Sequence, residues 1–151
     1  KVNYLEKKEI IKITKAGNSR ICELTNKFDK DLFEAEYERR EDLFKNKKFR
    51  LIFNSLSGLK FPFIAVLFGS QAKGNADKNS DIDILAIGGE EKMISSELSL
   101  FPYKIHLTNI SYGEFIQMAK SREFTVVSEA IKNNIILIGI EEYYRMLSNA
   151  K

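Results

Sequence analysis

Two short stretches decide how this sequence folds: LFGSQAKG at residues 67–74 and SDIDIL at residues 80–85. The first of them ends an apolar run over residues 63–68, which has the length of a buried strand. Gly69 and Ser70 then begin a brief helix, where the missing side chain lets backbone N–H groups approach a bulky anion and the helix start favours phosphate. These stretches predict a strand, a short helix and a second strand in direct succession.

The second stretch alternates acidic and apolar residues with a period of two, which predicts a strand over residues 81–87. Asp81 and Asp83 then lie on one face of that strand, and ten residues separate Ser70 from Asp81. Two carboxylates held this close repel each other unless a cation lies between them, and oxygen-rich pairs suit magnesium. A lone Asp-x-Asp is usually a solvated strand edge and a lone Gly-Ser usually a turn, but their order and spacing here favour a site for phosphate and metal.

The rest of the chain predicts an α+β protein in which strands and helices alternate after residue 61. Before that point, β-branched residues around a Gly-Asn turn predict a β-hairpin over residues 9–24. A helical pattern follows over residues 29–56, with a break near Asn46. Beyond the second stretch we expect helices and strands at residues 90–100 (helix), 103–110 (strand), 111–120 (helix), 124–132 (helix), 135–138 (strand) and 141–147 (helix).

Composition limits the class of protein. The chain has 151 residues with 44% hydrophobic and 30% charged residues, which is ordinary for a globular protein. Residues 1–60 hold 15 Lys/Arg and 10 Asp/Glu, whereas residues 61–151 hold 9 and 11, so a basic first part precedes a slightly acidic second part. The single Cys22 excludes an internal disulfide, and its alternating context predicts a small buried residue. With no secretory signal and no apolar stretch long enough to span a membrane, we expect a cytoplasmic protein.

The Gly-Ser pair, the ten-residue spacing and the Asp-x-Asp pair resemble the minimal nucleotidyltransferases of the DNA polymerase β superfamily, over residues 61–140. The resemblance implies a short mixed β-sheet flanked by helices. It also implies a nucleoside triphosphate substrate and two divalent ions, Mg²⁺ or Mn²⁺. By the same resemblance the metal ligands are Asp81 and Asp83, and the residues that bind the nucleotide phosphates are Gly69, Ser70, Lys73 and Ser80. Lys73 stands where many relatives have arginine, which keeps the charge but loses bidentate geometry.

One departure from the family pattern concerns the third carboxylate, which active members carry on the next strand. The matching stretch, residues 104–109, contains no acid. His106 takes the place, with Thr108 two residues further along the same face. His106 is either a metal ligand or general base, and thus a third catalytic residue beside the two aspartates, or a polar strand residue in a degenerate site. A carboxylate from elsewhere would substitute only if its loop or helix folded back, and the candidates are Glu90, Glu91 and Glu97.

The first part of the chain resembles the last part of a winged helix-turn-helix domain, with the hairpin as the wing. Its basic residues Lys12, Lys15 and Arg20 are then candidates for contact with DNA phosphates. The alternative is a basic structural hairpin that packs on its own helix. The domain prediction is a partial winged-helix-like segment over residues 1–27, a helical linker over 28–60 and a nucleotidyltransferase domain over 61–151.

Two functions follow as hypotheses. In the first, the protein binds a nucleoside triphosphate with magnesium and transfers a nucleoside monophosphate to a protein side chain, a nucleic-acid end or a small molecule. Minimal members of the family commonly act as antitoxins paired with a helical HEPN-type protein, so the resemblance implies such a partner, or a second copy of the chain. In the second, the protein is a DNA-binding transcriptional regulator whose nucleotidyltransferase domain has lost catalysis.

Overall fold

The computed structural model describes residues 2–25, 27–121 and 123–150. Along these ranges the elements are α1 (Val2–Lys7), β1 (Ile11–Ala16), β2 (Ser19–Leu24), α2 (Lys30–Leu43), α3 (Lys47–Ser57), β3 (Phe63–Phe68), α4 (Gly69–Lys73), β4 (Ile82–Gly88), α5 (Glu91–Ser99), β5 (Ile105–Ile110), α6 (Tyr112–Lys120), α7 (Val126–Lys132), β6 (Ile135–Ile138) and α8 (Ile140–Asn149). No helix in these ranges is both long and apolar enough to cross a membrane. The chain divides into two compact units, residues 1–35 and residues 36–151.

The first unit contains the predicted β-hairpin. Strands β1 and β2 pair in antiparallel fashion from Ile11↔Leu24 to Ala16↔Ser19. The turn passes through Gly17, whose φ of 60° is readily adopted by glycine. Helix α1 packs on β1. The prediction that Cys22 is buried is wrong: its side chain is exposed, because β2 belongs to a two-stranded ribbon whose residues 19–23 all face solvent.

The second unit is built on a four-stranded mixed sheet in the order β5-β4-β3-β6. Strand β3 is antiparallel to β4 and to β6, whereas β4 and β5 are parallel. All six residues of β3 are buried, as the unbroken apolar run of that strand predicts. The sheet and its flanking helices confirm the predicted α+β fold class. The predicted domain boundaries at residues 27 and 60 stay a prediction.

Helices cover both faces of this sheet. Helices α3 and α5 contact each other on one face, where α3 also contacts β6 and α5 contacts β5. On the other face α6 contacts β4, α7 contacts β3, and α8 contacts β3 and β6. Alternate residues of β3 and β4 therefore enter two different cores. The core under α3 and α5 includes Phe49, Ile52, Leu56, Ala65, Leu67, Ile82, Ile84, Ala86, Ile94 and Leu98. Asp83 of β4, and Asp81 just before that strand, alternate with this set and lie on the other face.

Helix starts follow the capping signals in the sequence. The side chain of Asn46 accepts a hydrogen bond from the Lys48 backbone N–H at 3.1 Å, and α3 begins there, which confirms the break near Asn46. Ser111 and Glu114 form the predicted capping box at the start of α6.

A buried charged group ties α2 to α8 within the second unit. Glu36 is only 6% exposed. Its carboxylate accepts a hydrogen bond from the Tyr144 hydroxyl at 2.6 Å and from Arg39 Nη1 at 3.0 Å. Burial, followed by the hydrogen bond to the Glu36 carboxylate, raises the pKa of Tyr144 above its ordinary value. The folded protein therefore keeps this phenol protonated at a pH where the unfolded chain begins to lose the proton.

Replacing Tyr144 by phenylalanine should change how stability depends on high pH. A raised pKa contributes stability that is complete below the unfolded value of about 10 and declines as the pH rises above it, by up to about 1.4 kcal/mol per pH unit. Tyr144→Phe should therefore flatten the decline between about pH 9 and about pH 11, and should cost about 1–3 kcal/mol at neutral pH through the lost partner of Glu36. Urea denaturation across this pH range measures both effects.

Tyr112→Phe is the matched control, because Tyr112 is 43% exposed. It should leave the free energy of unfolding nearly unchanged. A Tyr144→Phe protein with the same pH dependence as the parent would contradict the assignment.

Candidate functional site

The close approach of Gly69 to Asp83 forms the centre of the site. The antiparallel register of β3 and β4 sets Phe68 opposite Asp83, so the next residue along β3 lies beside that carboxylate. Gly69 has a φ of 69°, and a Cβ added there would overlap Asp83 Oδ2. A side chain at this position would strain the backbone at this φ and would force the Asp83 carboxylate to move. The chain thus turns from β3 into α4 in direct contact with an acidic group.

The short helix α4 and the loop after it return the chain to the acidic residues. Gly74 ends α4 with a φ of 73°. The Gln71 side-chain amide donates hydrogen bonds to the backbone oxygens of Ser80 at 3.2 Å and Asp81 at 3.4 Å. Gln71 therefore fixes the backbone just before β4 relative to α4.

Asp77 organises the loop itself. Its carboxylate accepts hydrogen bonds from the Asn79 backbone N–H at 2.8 Å and from the Ser80 hydroxyl at 3.1 Å. The Asn79 N–H, followed by the Ser80 hydroxyl, lowers the pKa of Asp77 below its ordinary value. The predicted phosphate ligand Ser80 thus uses its hydroxyl to hold the loop that leads into Asp81.

Asp81 and Asp83 lie next to two basic side chains. Their own side chains are 26% and 29% exposed. Lys104 Nζ donates to Asp81 Oδ2 at 2.9 Å. His106 faces both carboxylates, with Nε2 3.6 Å from Asp81 Oδ2 and Nδ1 3.6 Å from Asp83 Oδ1. The two carboxylates therefore share a small, partly solvated cluster with an ammonium group and an imidazole.

The parallel pairing of β4 with β5 explains the position of His106. The register sets Asp83 beside His106 and Leu85 beside Thr108, so all four side chains lie on one face, as the sequence predicts. The three glutamates that were candidates to replace the missing acid are elsewhere. Glu90 and Glu91 follow the far end of the seven-residue β4, about 20 Å along the strand from Asp83. Glu97 accepts a hydrogen bond from the Ser55 hydroxyl of α3, on the opposite face of the sheet.

Lys73, at the end of α4, forms an ion pair with α7. Its ammonium is 3.3 Å from Glu129 Oε1, and the two side chains are 39% and 33% exposed. An ion pair with this much exposure contributes little stability and exchanges readily with another anion. Ser70 is partly buried in the same helix, one residue after the contact between Gly69 and Asp83.

Comparison with known proteins shows which family this chain belongs to. A family model for a nucleotidyltransferase domain matches residues 46–137, which is more than half of the chain and includes α4, β4 and β5. The chain belongs to the nucleotidyltransferase domain family. No curated protein matches the chain. A solved structure described as the crystal structure of the toxin-antitoxin with AMP-PNP is similar, with 18% sequence identity and a TM-score of 0.45, over 66% of this chain and 80% of that chain.

Nucleotidyltransferase domains generally use a divalent metal ion with a nucleoside triphosphate. Within the described ranges, no group of three or more His, Cys, Asp or Glu side chains is arranged to hold a metal ion. Mg²⁺, however, is commonly bound through one or two carboxylates and completed by phosphate oxygens and water. The partly exposed oxygens of Asp81 and Asp83 fit that kind of donor set.

Four residues of the candidate site escaped the sequence interpretation: Gln71, Asp77, Lys104 and Glu129. Gln71 and Lys104 stand inside stretches that the sequence singles out, and Lys104 is two residues from His106, which is the spacing of one strand face. Glu129 lies on α7, 56 residues after Lys73, and nothing in its local sequence indicates the pair.

The predicted DNA-contact residues belong to the first unit and do not share one face of the hairpin. Lys15 and Arg20 are directly opposite each other across β1 and β2, whereas Lys12 is opposite Glu23. Because Lys12 and Lys15 are three residues apart, they project from opposite faces. Lys15 and Arg20 are both exposed, and together they place two positive charges side by side near the turn.

Substitution of Gly69 by alanine should destabilise the protein more than the same change at Gly74. Both residues have a positive φ, 69° and 73°, so both substitutions carry the cost of about 1–2 kcal/mol for the left-handed conformation. Only the Gly69→Ala methyl group overlaps Asp83, which should add about 1–3 kcal/mol. Free energies of unfolding from urea denaturation give the difference, and equal losses in the two variants would refute the close approach.

Proposed function

We propose that this protein binds a nucleoside triphosphate together with Mg²⁺ or Mn²⁺ and transfers a nucleoside monophosphate to an acceptor. The observation that supports it best is the contact between Gly69 and Asp83, which brings the start of α4 against the Asp83 carboxylate of β4. This contact lies inside the region that the nucleotidyltransferase family model matches. Phosphate and metal can therefore be bound next to each other.

The residues around α4 bind the phosphates in this proposal. Gly69 leaves room for a bulky anion near the backbone. The Ser70 hydroxyl and the first backbone N–H groups of α4 are donors, since its N-cap residue Phe68 has no polar side chain to occupy them. Lys73 adds a positive charge once the anionic phosphate competes with Glu129 for its ammonium. Ser80 acts with Asp77 to hold the loop, so its contribution to phosphate binding is indirect.

Asp81 and Asp83 would hold the divalent ion, which when bound would neutralise charge on the triphosphate and keep the reacting oxygens in line. In the transfer, an acceptor oxygen forms a bond to the α-phosphorus while the bond from that phosphorus to the oxygen bridging to the β-phosphate breaks, and pyrophosphate leaves with the electron pair. The proton of the acceptor hydroxyl goes to His106, whose imidazole is 57% exposed and faces both carboxylates.

The acceptor in this proposal is a hydroxyl group of a protein partner, a nucleic-acid end or a small molecule. The family resemblance favours the protein partner, a HEPN-type chain that the antitoxin-like protein modifies or binds. A radioactive α-phosphate that remains with the acceptor, and not a γ-phosphate, is the expected product of the reaction.

Replacing both aspartates by asparagine should weaken metal-dependent nucleotide binding. Asp81→Asn with Asp83→Asn keeps the size of the side chains and removes two negative charges that the divalent ion requires. We expect the affinity for ATP in the presence of Mg²⁺ to fall at least about tenfold. Calorimetric titration with ATP, GTP, CTP and UTP, each with and without Mg²⁺, measures this and also gives the base preference.

Asp42→Asn is the control for charge alone, because Asp42 is an exposed partner of Lys45 on α2. It should leave nucleotide affinity unchanged. Unchanged affinity in the double variant, or no binding of any triphosphate to the parent protein, would count against this function.

The hairpin of the first unit supports a second candidate function, a DNA-binding regulator with a catalytically degenerate nucleotidyltransferase domain. Like charges directly opposite each other destabilise a hairpin, and Lys15 and Arg20 are such a pair. An anion between them, such as a DNA phosphate, would relieve the repulsion. The absence of an acid from residues 104–109 is consistent with the same hypothesis.

Neutralising the opposed pair should weaken DNA binding in a salt-dependent way. Lys15→Gln with Arg20→Gln removes two phosphate contacts, so the slope of log affinity against log salt concentration should become shallower by about 2. Fluorescence anisotropy with a labelled duplex at several salt concentrations gives the slope. Lys12→Gln, on the other face beside Glu23, is the matched control and should have a smaller effect. DNA affinity that is absent at low salt would exclude this function.

A further inference from the structure

The charge balance at the two aspartates is set by β5 and the residue before it. Beside the two carboxylates this chain places two basic side chains, Lys104 and His106. Lys104 Nζ is 2.9 Å from Asp81 Oδ2, and the imidazole of His106 is 3.6 Å from each carboxylate. The two carboxylates thus already have an ammonium counterion from the protein itself.

The main chain holds Lys104 in this position. The backbone N–H of Ile82, between the two aspartates, donates to the backbone oxygen of Lys104 at 2.9 Å. Parallel pairing from Ile82↔Ile105 to Ile87↔Ile110 continues that alignment. The Lys104 side chain is 71% exposed, so its ammonium moves freely, but its point of attachment does not. An ammonium is therefore always available within reach of Asp81.

Lys73, the lysine at the end of α4, has a different counterion. Lys73 is directed toward Glu129 of α7, at 3.3 Å, and so its charge is balanced separately. Two carboxylates and one tethered ammonium leave a single net negative charge, which attracts one divalent ion strongly and a second one only weakly. A second divalent ion on Asp81 Oδ2 would lie about 2.1 Å from that oxygen, and so within a few ångströms of the ammonium. Like charges at that separation repel strongly.

We propose that Lys104 acts as a built-in cation at Asp81, so that the site takes one divalent ion with the nucleotide and not the pair of ions that two-metal transfer sites hold. This inference rests on the proposed function, because it concerns the same nucleotide and metal site. The positive charge of Lys104 takes over part of the role of a second ion, because it offsets the negative charges of Asp81 and of the phosphate oxygens. Removal of the Lys104 ammonium should therefore allow a second ion to bind.

Counting bound ions tests the proposal. The protein is saturated with an ATP analogue that carries a methylene group between its α- and β-phosphates, and free Mn²⁺ is measured by electron paramagnetic resonance as Mn²⁺ is added. The parent chain should bind one Mn²⁺ with the nucleotide. Lys104→Gln, which keeps an unbranched polar side chain without the charge, should bind a second Mn²⁺ at least about tenfold more tightly than the parent does.

Two control variants make the result specific to the charge at this place. Lys104→Arg should retain a single ion, because it restores the positive charge. Lys92→Ala, an exposed lysine at the start of α5, should behave as the parent. Urea denaturation of each variant confirms that it is folded before ions are counted.

Each outcome of the ion count either supports or overturns the proposed role of Lys104. One ion in the parent and a second in Lys104→Gln supports the proposal. Two ions in the parent, or one ion in both proteins, overturns it while leaving the proposed function in place, because nucleotide and metal are still bound. A parent chain that binds neither the analogue nor Mn²⁺ overturns both, and the nucleotide titration alone distinguishes that case.

Discussion

Antiparallel pairing between β3 and β4 sets Phe68 opposite Asp83, and every other feature of the site depends on that register. Because β3 ends there, Gly69 comes to lie against the Asp83 carboxylate, and any side chain at that position would displace it. Helix α4 then starts beside the two aspartates. A slip of one residue would turn the acidic face of β4 into the core under α3 and α5, where Ile82 and Ile84 now lie, so the hydrophobic core enforces the geometry of the site.

The second constraint is electrostatic. Asp81 and Asp83 project from one face two residues apart, and their repulsion must be offset by cations. The parallel pairing with β5 brings His106, and Lys104 just before that strand, to this place. The same strand pairing that completes the sheet therefore decides which charges surround the carboxylates. Lys73, by contrast, is balanced by Glu129 from a helix much further along the chain.

Local signals in the sequence predict the elements closely. The apolar run of β3, the alternation in β4, the break at Asn46 and the capping box at Ser111 are all confirmed, because each depends on neighbours within a few residues. The burial of Cys22 is predicted wrongly, since burial depends on what covers a strand and not on its own alternation. Nothing local indicates that Glu36 is buried, because its partner Tyr144 is 108 residues away.

The sequence by itself determined the order of strands and helices, the position of Gly69 and the shared face of Asp81 and Asp83, because backbone periodicity and glycine conformation are local properties. It also determined that the strand after α5 has no acid. Only the tertiary structure decided which side chains surround the two aspartates. The register between β4 and β5 brings Lys104 to Asp81, and the packing of α7 brings Glu129 to Lys73. Register and packing are set by the whole core, which no short stretch of sequence contains.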